Sequence, residues 1–358
     1  MSTTDLVLKL RFKRILFLMG YYSPLEVELS HYQDTKGKAK RTTLTDLDVL
    51  GIRYDSLLVP HKIVADCKSG KHVSDSNRLF WLRGVADYFG ADVGYYIRPK
   101  IDRHARAMAP KLGLRVLDER DLLELETNLN AKQLTLPLAD PELYNKRQEL
   151  WGIGKQEGKS PNPEDLVRKH VYSYLSYLSW SIEQYRNLFQ LIHHFTGVAH
   201  LLKADSQKDV VLAYAGLERF ALCLLEIGSD IHNRGVSNIL GNARVYLYGG
   251  HMALRERERF FSLLRNATGS TDELDPPYLA DIIEVVNRMI RNHSGASKLL
   301  PYLEAIFGCH LLANGLDPNT VFDGKMDIGA VVLARDMCNS FCRSTGLSNT
   351  LYTYLLDL

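Results

Sequence analysis

Apolar positions change period along this chain, from alternation in its first quarter to helical spacing beyond residue 164. Residues 6–19 read as an amphipathic helix. Three strand patterns follow, Pro24-Leu-Glu-Val-Glu-Leu-Ser30, Leu44-Thr-Asp-Leu-Asp-Val-Leu-Gly51 and Val59-Pro-His-Lys-Ile-Val-Ala-Asp-Cys-Lys68. Successive side chains point to opposite faces of a strand. Val27 and Leu29 therefore share one face, and Glu26, Glu28 and Ser30 the other. Leu47 and Val49 oppose Asp46, Asp48 and Leu50. Ile63, Ala65 and Cys67 oppose Val64, Asp66 and Lys68. Paired in register, the three strands bring their carboxylates together beside one lysine.

The pattern then predicts a helix over 75–89, with Leu79, Leu82, Val85, Ala86 and Phe89 as its apolar stripe and Ser74 as its N-cap. A strand over 92–98 stops at Pro99, a helix over 101–112 closes at Gly113, and a short strand covers 114–117. A last helix opens at Asp118 with acids in its first turn. The order α-β-β-β-α-β-α-β implies a mixed sheet flanked by helices on both faces. Prolines 137, 141, 161 and 163, with the glycine-rich run Trp151 to Gly158, predict an extended connector. The expected organisation is an α/β domain over 1–128, a linker over 129–163 and an all-α domain over 164–358. Within the helical part, Ser173, Ser176 and Ser179 recur three apart beside Leu175, Leu178 and Ile182, which reads as a helix-packing face.

Composition bounds the chemistry. At 358 residues, 46% hydrophobic and 24% charged, the chain has room for two cores and the make-up of an ordinary globular protein. No apolar run is long enough to cross a bilayer, and no secretory pattern opens the chain. Five cysteines without paired spacing describe neither a disulfide framework nor a zinc site, which points to a reducing cytoplasm. Residues 1–125 carry 21 Lys+Arg against 16 Asp+Glu, a mildly basic surplus suited to a phosphate backbone.

Acid-x-Lys occurs four times, at Asp34-Thr-Lys36, Asp66-Cys-Lys68, Glu157-Gly-Lys159 and Asp323-Gly-Lys325. Only Asp66 to Lys68 closes a strand that follows another acidic strand, Asp46-Leu-Asp-Val-Leu50. Hydrolysis of a phosphodiester needs cations that neutralise the non-bridging oxygens and acidify the attacking water, and hard carboxylate oxygens hold such cations. In that scheme Asp66 holds metal, and Lys68, kept protonated by neighbouring acids, orients the water or offsets developing charge.

This helix, acid-bearing meander, helix and strand, with Leu-Asp48-Val-Leu and Asp66-Cys-Lys68, resembles the PD-(D/E)xK superfamily of nucleases, which share the restriction-endonuclease-like fold. The resemblance covers about residues 5–125. It implies Asp48 as central metal ligand, with Asp46 as its alternative, and Asp66 with Lys68 as the closing pair. Mg²⁺, or Mn²⁺ in its place, is the implied cofactor, and nucleic acid, DNA ahead of RNA, the implied substrate. Many members carry a glutamate in the first helix. Residues 6–19 hold no acid, so Glu28, or else Glu26, is expected to complete the catalytic and metal set. Lys36, Lys38, Lys40 and Arg41, between the first two acidic strands, and Lys71 are the expected nucleic-acid contacts. The helical half is expected to serve a homodimer or a protein partner, and such a chain suits prokaryotic defence or DNA processing. The alternative is a catalytically inactive nuclease-like fold that binds nucleic acid or protein. A third reading is an RNase in the helical half, since Arg288 to His293 and Arg186 to His193 match the loose Arg-x4-6-His pattern of HEPN ribonucleases.

Overall fold

The computed structural model describes residues 3–35, 38–70, 74–131, 136–151, 162–269, 271, 273–311, 315–322 and 324–358. Helix α1 (Thr3–Leu18) leads into β1 (Leu25–Thr35), β2 (Lys38–Tyr54) and β3 (Pro60–Cys67). After these come α2 (Asp75–Phe89), β4 (Val93–Ile97), α3 (Arg103–Met108), β5 (Leu114–Leu117) and α4 (Glu119–Asn128). The sheet order is β1-β2-β3-β4-β5. The first three strands pair antiparallel, and β3, β4 and β5 run parallel. Parallel neighbours need crossovers, and α2 and α3 supply them. Local chemistry sets α2's ends: the Ser74 hydroxyl accepts from the Asn77 N–H, and Gly90 closes the helix in the left-handed region at φ 69°.

Each sheet face is covered. On one, Leu8, Phe12, Ile15 and Leu16 of α1 and Leu122 of α4 pack on Val49, Ile63, Ala65, Tyr95 and Ile97. The other carries Leu50, Ile52, Tyr54, Val64 and Tyr96, against Leu79 and Leu82 of α2. The same apolar cluster continues without a break into the helical half.

That half comprises α5 (Pro141–Trp151), α6 (Pro163–Ser173), α7 (Ser179–Ser181), α8 (Asn187–Val198), α9 (Gln207–Arg234), α10 (Ile239–Leu247), α11 (His251–Thr268), α12 (Leu279–Arg291), α13 (His293–Ala296), α14 (Leu299–Leu311), α15 (Ile328–Thr345) and α16 (Thr353–Leu356). The 28-residue α9 is buried along most of its length, with α8, α10, α12 and α14 around it. A helix apolar on nearly every side belongs at a centre. It also meets the sheet: the hydroxyls of Tyr22 and Tyr54 donate to Glu218 and Glu226, each at 2.8 Å.

One part of the expected organisation needs correction. Within residues 129–163, Pro141–Trp151 forms α5 rather than an extended connector. Asp140 accepts from the N–H groups of Glu142 and Leu143 at 2.9 and 3.0 Å, and proline is favoured at a first helical position, so Pro141 starts this helix rather than breaking one. Tyr144 is buried beside Leu6 and Leu10 of α1, tying α5 to the α/β part. The serine-bearing stretch contains a π-helical turn, Tyr174–Leu178.

Among the described residues no helix is long and apolar enough to cross a membrane, and all five cysteines are buried and unpaired.

Close packing of α8 on α9 depends on Gly216. A Cβ there would come within 2.2 Å of the Phe195 ring. Alanine in a helix interior ordinarily gains about 1 kcal/mol over glycine. Overpacking a filled core costs about 1–3 kcal/mol, so the clash wins. Gly216→Ala is expected to lower the free energy of urea unfolding. A midpoint that rises would contradict the close approach.

Candidate active site

The acidic residues converge where β3 ends. Asp66 is the penultimate residue of β3, opposite Tyr96 of β4. In open α/β sheets, sites form at the carboxyl ends of parallel strands, and the β3–β4 pair places Asp66 at such an end. Asp48 lies on β2, one residue before the Val49–Ala65 pair, and so faces Asp66 across the ladder. Both carboxylates are 2% exposed. Lys68 joins them, its Nζ 3.2 Å from Asp48 Oδ2 and 3.5 Å from Asp66 Oδ1. The structure therefore brings Asp48, Asp66 and Lys68 into one cluster.

Two further cations enter it. Lys9 of α1 pairs with Glu26 and with Asp48 Oδ1, the latter at 2.7 Å. Arg78 of α2 grips both oxygens of Asp66, with Nε donating to Oδ2 at 2.8 Å. Its guanidinium also lies 3.8 Å from the centroid of Trp81, so Trp81 packs on a helix neighbour. Buried Asp75, the first residue of α2, accepts from the Tyr96 hydroxyl at 2.9 Å and also pairs with Arg98. That anchor fixes the helix end that presents Arg78. Three carboxylates, those of Glu26, Asp48 and Asp66, thus face three cations. A buried charge is tolerated only when paired or hydrogen-bonded, and each of these is paired.

Environment pushes the two aspartates apart. Burial raises Asp48, but Lys9, Lys68 and the Cys67 N–H at 2.7 Å outweigh it, and the carboxyl falls below its usual value. Burial also raises Asp66, and there Arg78 and Lys68 fail to offset it, so Asp66 ends above its usual value. Two acids held at different values are the arrangement that acid–base sites use. Burial lowers Lys68, yet Asp48 and Asp66 together raise it further, and it keeps its proton. The Cys67 thiol is pushed up by burial, which leaves it an inert core sulfur.

The third carboxylate is Glu26, not Glu28. The pairs Leu25–Val49 and Val27–Leu47 set Glu26 opposite Asp48. Glu26 has φ 56°, in the left-handed region. A turned residue breaks strict strand alternation, and such backbone is costly for a side chain other than glycine. Glu28 instead accepts from Ser30 and Thr43, each at 2.8 Å, with Arg41 at 3.7 Å. Glu26, Asp46 and Asp48 each offer one oxygen within 4.8 Å of the others. That hard-oxygen set fits Mg²⁺ or Mn²⁺ by its chemistry. Glu28 and Asp66 are outside it, and both oxygens of Asp66 accept from Arg78.

The basic stretch lies between β1 and β2, at the far end of their hairpin from Asp48. Strand β2 starts at Lys38, ten positions before Asp48, and at about 3.4 Å per residue its start lies roughly 30 Å away. Arg41 stacks 3.8 Å over the Tyr177 ring and reaches Glu28 at 3.7 Å. Lys36 and Lys71 lie outside the described residues, and the side chains of Lys38 and Lys40 do as well.

Lys9, Arg78 and Asp5 are the site neighbours that sequence reasoning missed. Asp5 sits in the first turn of α1 and accepts from the Ser69 N–H at 2.6 Å, so the first helix does bring a carboxylate beside the motif. A signal existed for the lysines. Lys9 and Lys13 interrupt a helix that is apolar on several sides, and such lysines must meet buried acids.

Lys9→Met is expected to lower stability by about 1–3 kcal/mol in chelator, because it removes a partner of buried Asp48 while Lys68 and the Cys67 N–H remain. Mn²⁺ is expected to restore more of the melting temperature in this variant than in the parent, since a cation bound only to the folded chain stabilises it. Equal response in both proteins would show that Lys9 and a cation do not compete.

No protein-family model matches the chain, and no solved structure matches it. Among curated proteins it is similar to serine-repeat antigen protein 6 of Plasmodium falciparum, in the isolate 3D7 sequence and in a second sequence of that name. Each is 26% identical over 180 residues, covering 48% of this chain. The chain spans 15% of the length of these relatives.

Proposed function

We propose that this chain is a metal-dependent phosphodiesterase of the PD-(D/E)xK type, with the restriction-endonuclease-like fold over its first 128 residues and DNA as substrate. The observation that carries the reading is Lys68 held between Asp48 and Asp66 where β3 ends.

Asp48, with Glu26 and Asp46, would hold Mg²⁺ or Mn²⁺. Bound there, the cation supplies Lewis-acid polarisation and an acidified water. The chain's own groups do the remainder. Lys68, protonated and half-exposed, offers a donor to the phosphoryl oxygen on which charge develops. Asp66 holds Lys68 from its other side, and Arg78 holds Asp66, so the ammonium is fixed before substrate arrives. Burial raises Asp66 above its usual value, which suits it to accept a proton from water aligned by Lys68.

The test is hydrolysis of duplex, single-stranded and branched DNA, and of RNA, by purified protein with Mg²⁺, Mn²⁺ or chelator. Cleavage that needs a divalent cation is the expected result. Absence of hydrolysis on every substrate with both metals would overturn the reading.

A second reading has its own observation: Lys9, Lys68 and Arg78 already neutralise the cluster. That balance favours a nuclease-like fold that binds nucleic acid without cutting it. Binding without cleavage, and without Mn²⁺ uptake, would select it. For the helical half, Arg288 is engaged by Glu284 and Asp336 on the surface, and Arg186 by Glu183, which gives the Arg-x4-6-His pairs no support as a site.

A further inference from the structure

A cavity of about 310 Å³ lies between the acidic edge of the sheet and the helical half. Its aromatic lining comes from Trp151 at the end of α5, Tyr172 of α6, Tyr177 of the π-helical turn and Trp180 of α7. Trp151 and Tyr172 have centroids 4.9 Å apart, and Tyr172 meets Tyr177 edge-on at 6.2 Å. Glu218 and Arg219 of α9 line it too, each only 4% exposed. The Arg219 guanidinium stacks 3.6 Å from the Trp180 centroid. π-Helical turns occur mostly as local insertions and often at functional sites.

The polar pair is unfinished. Tyr22 satisfies one oxygen of Glu218. Among the described residues, no hydrogen-bond partner reaches Glu218 Oε1 or Arg219 Nη1. Buried polar atoms are nearly always bonded, and a buried pair left open beside a cavity calls for an explanation. Two residues of the lining therefore each carry an unanswered buried polar atom, one an acceptor and one a donor, among aromatic rings. A planar heterocycle that carries both an N–H and an acceptor can answer both atoms and stack on the rings. The volume sits at the low end of the small-molecule range, about 300–1,000 Å³, room for one ring system and its sugar.

We propose that this cavity binds a single unpaired nucleobase, stacked on the Tyr177–Trp180 wall with its hydrogen-bonding edge on Glu218 and Arg219. Glu26 and Asp46 line the same cavity, so a base delivered by a strand would bring its backbone to the acidic edge. The class of ligand does not depend on hydrolysis. A free mononucleotide presents the same chemistry as a base within a strand, and the experiment separates the two.

Binding is measured by calorimetry in chelator, without divalent metal, so that cleavage plays no part. The probes are a mixed-sequence single-stranded oligonucleotide, the same backbone without bases, its duplex, and an equimolar set of nucleoside monophosphates. The single strand is expected to bind at least about tenfold tighter than the abasic strand or the duplex, the size of one base–aromatic stack. Tyr177→Leu and the near-isosteric Glu218→Gln are each expected to weaken it about tenfold, with far-ultraviolet dichroism unchanged. Monophosphates that bind as tightly as the strand would support the site and identify a free nucleotide as its occupant. Equal binding of abasic and base-bearing strands together with no monophosphate binding would overturn the proposal. So would affinity that survives both substitutions. A chain that binds the base without cutting DNA leaves this site standing while the nuclease reading fails, and the reverse result does the opposite.

Discussion

Lys68→Ala is expected to lower divalent-metal-dependent DNA cleavage by about 100- to 1,000-fold, the usual effect of removing one preorganised donor from the developing charge. Stability should change little. Lys68 has 30% of its side chain exposed, and without it Asp48 keeps Lys9 and the Cys67 N–H while Asp66 keeps Arg78. That contrast makes Lys68 the sharper probe. Asp48→Ala would strand buried Lys9, and Asp66→Ala would take from Arg78 the carboxylate it grips, so both confuse folding with chemistry. The measurement is a single-turnover rate on the best substrate, with the melting temperature recorded alongside. A Lys68→Ala protein that cuts at the parental rate would remove the lysine from the mechanism. If Asp66→Asn also retained activity, the site itself would be misassigned.

The elements of the α/β part were legible because local rules and tertiary packing agree there. Ser74 caps α2, Gly113 ends the turn before β5, and Asp118 caps α4 with a reciprocal bond to Asp121. The convergence of Asp48, Asp66 and Lys68 was legible for the same reason, since alternation fixes faces and a short turn fixes neighbours. The choice between Glu26 and Glu28 was not. It depends on the left-handed backbone at Glu26, and nothing in a glutamate's identity announces positive φ. Hairpin length escaped too: β1 and β2 stay paired out to Thr35 and Lys38, which carries the basic stretch away from the acids. Lys9 and Arg78 come from helices before and after the meander, and their reach depends on helix docking, a long-range property. The run of prolines misled because proline ends one helix and starts another by the same restriction of φ. The open pair at Glu218 and Arg219 could not be seen in sequence, because whether a buried polar atom has a partner is a question of packing.

Lys13→Met is expected to destabilise the chain by about 3–5 kcal/mol, the largest single loss of stability among these substitutions. Lys13 of α1 and Glu304 of α14 form an ion pair between side chains each 2% exposed. Lys13 also donates to the Ser23 carbonyl at 2.5 Å, and Glu304 accepts from the Ser23 N–H at 3.4 Å. The pair therefore closes a three-way junction between α1, the entry to β1 and the helical half. Burial pulls Lys13 below its usual value even with Glu304 beside it, so desolvation outweighs attraction for the lysine. Removing the lysine alone strands the glutamate in that environment, and the full penalty of an unpaired buried charge follows. Removing both charges should do far less. The double variant Lys13→Met, Glu304→Leu is expected to recover most of the lost unfolding free energy in urea, because well-packed apolar replacements of a buried pair are often neutral or better. A double variant as unstable as the single one would mean that the pair is a net source of stability rather than a way of fixing how α1 seats. Since Lys9 lies one turn before Lys13 on the same helix, that seating also places the cation that faces Asp48.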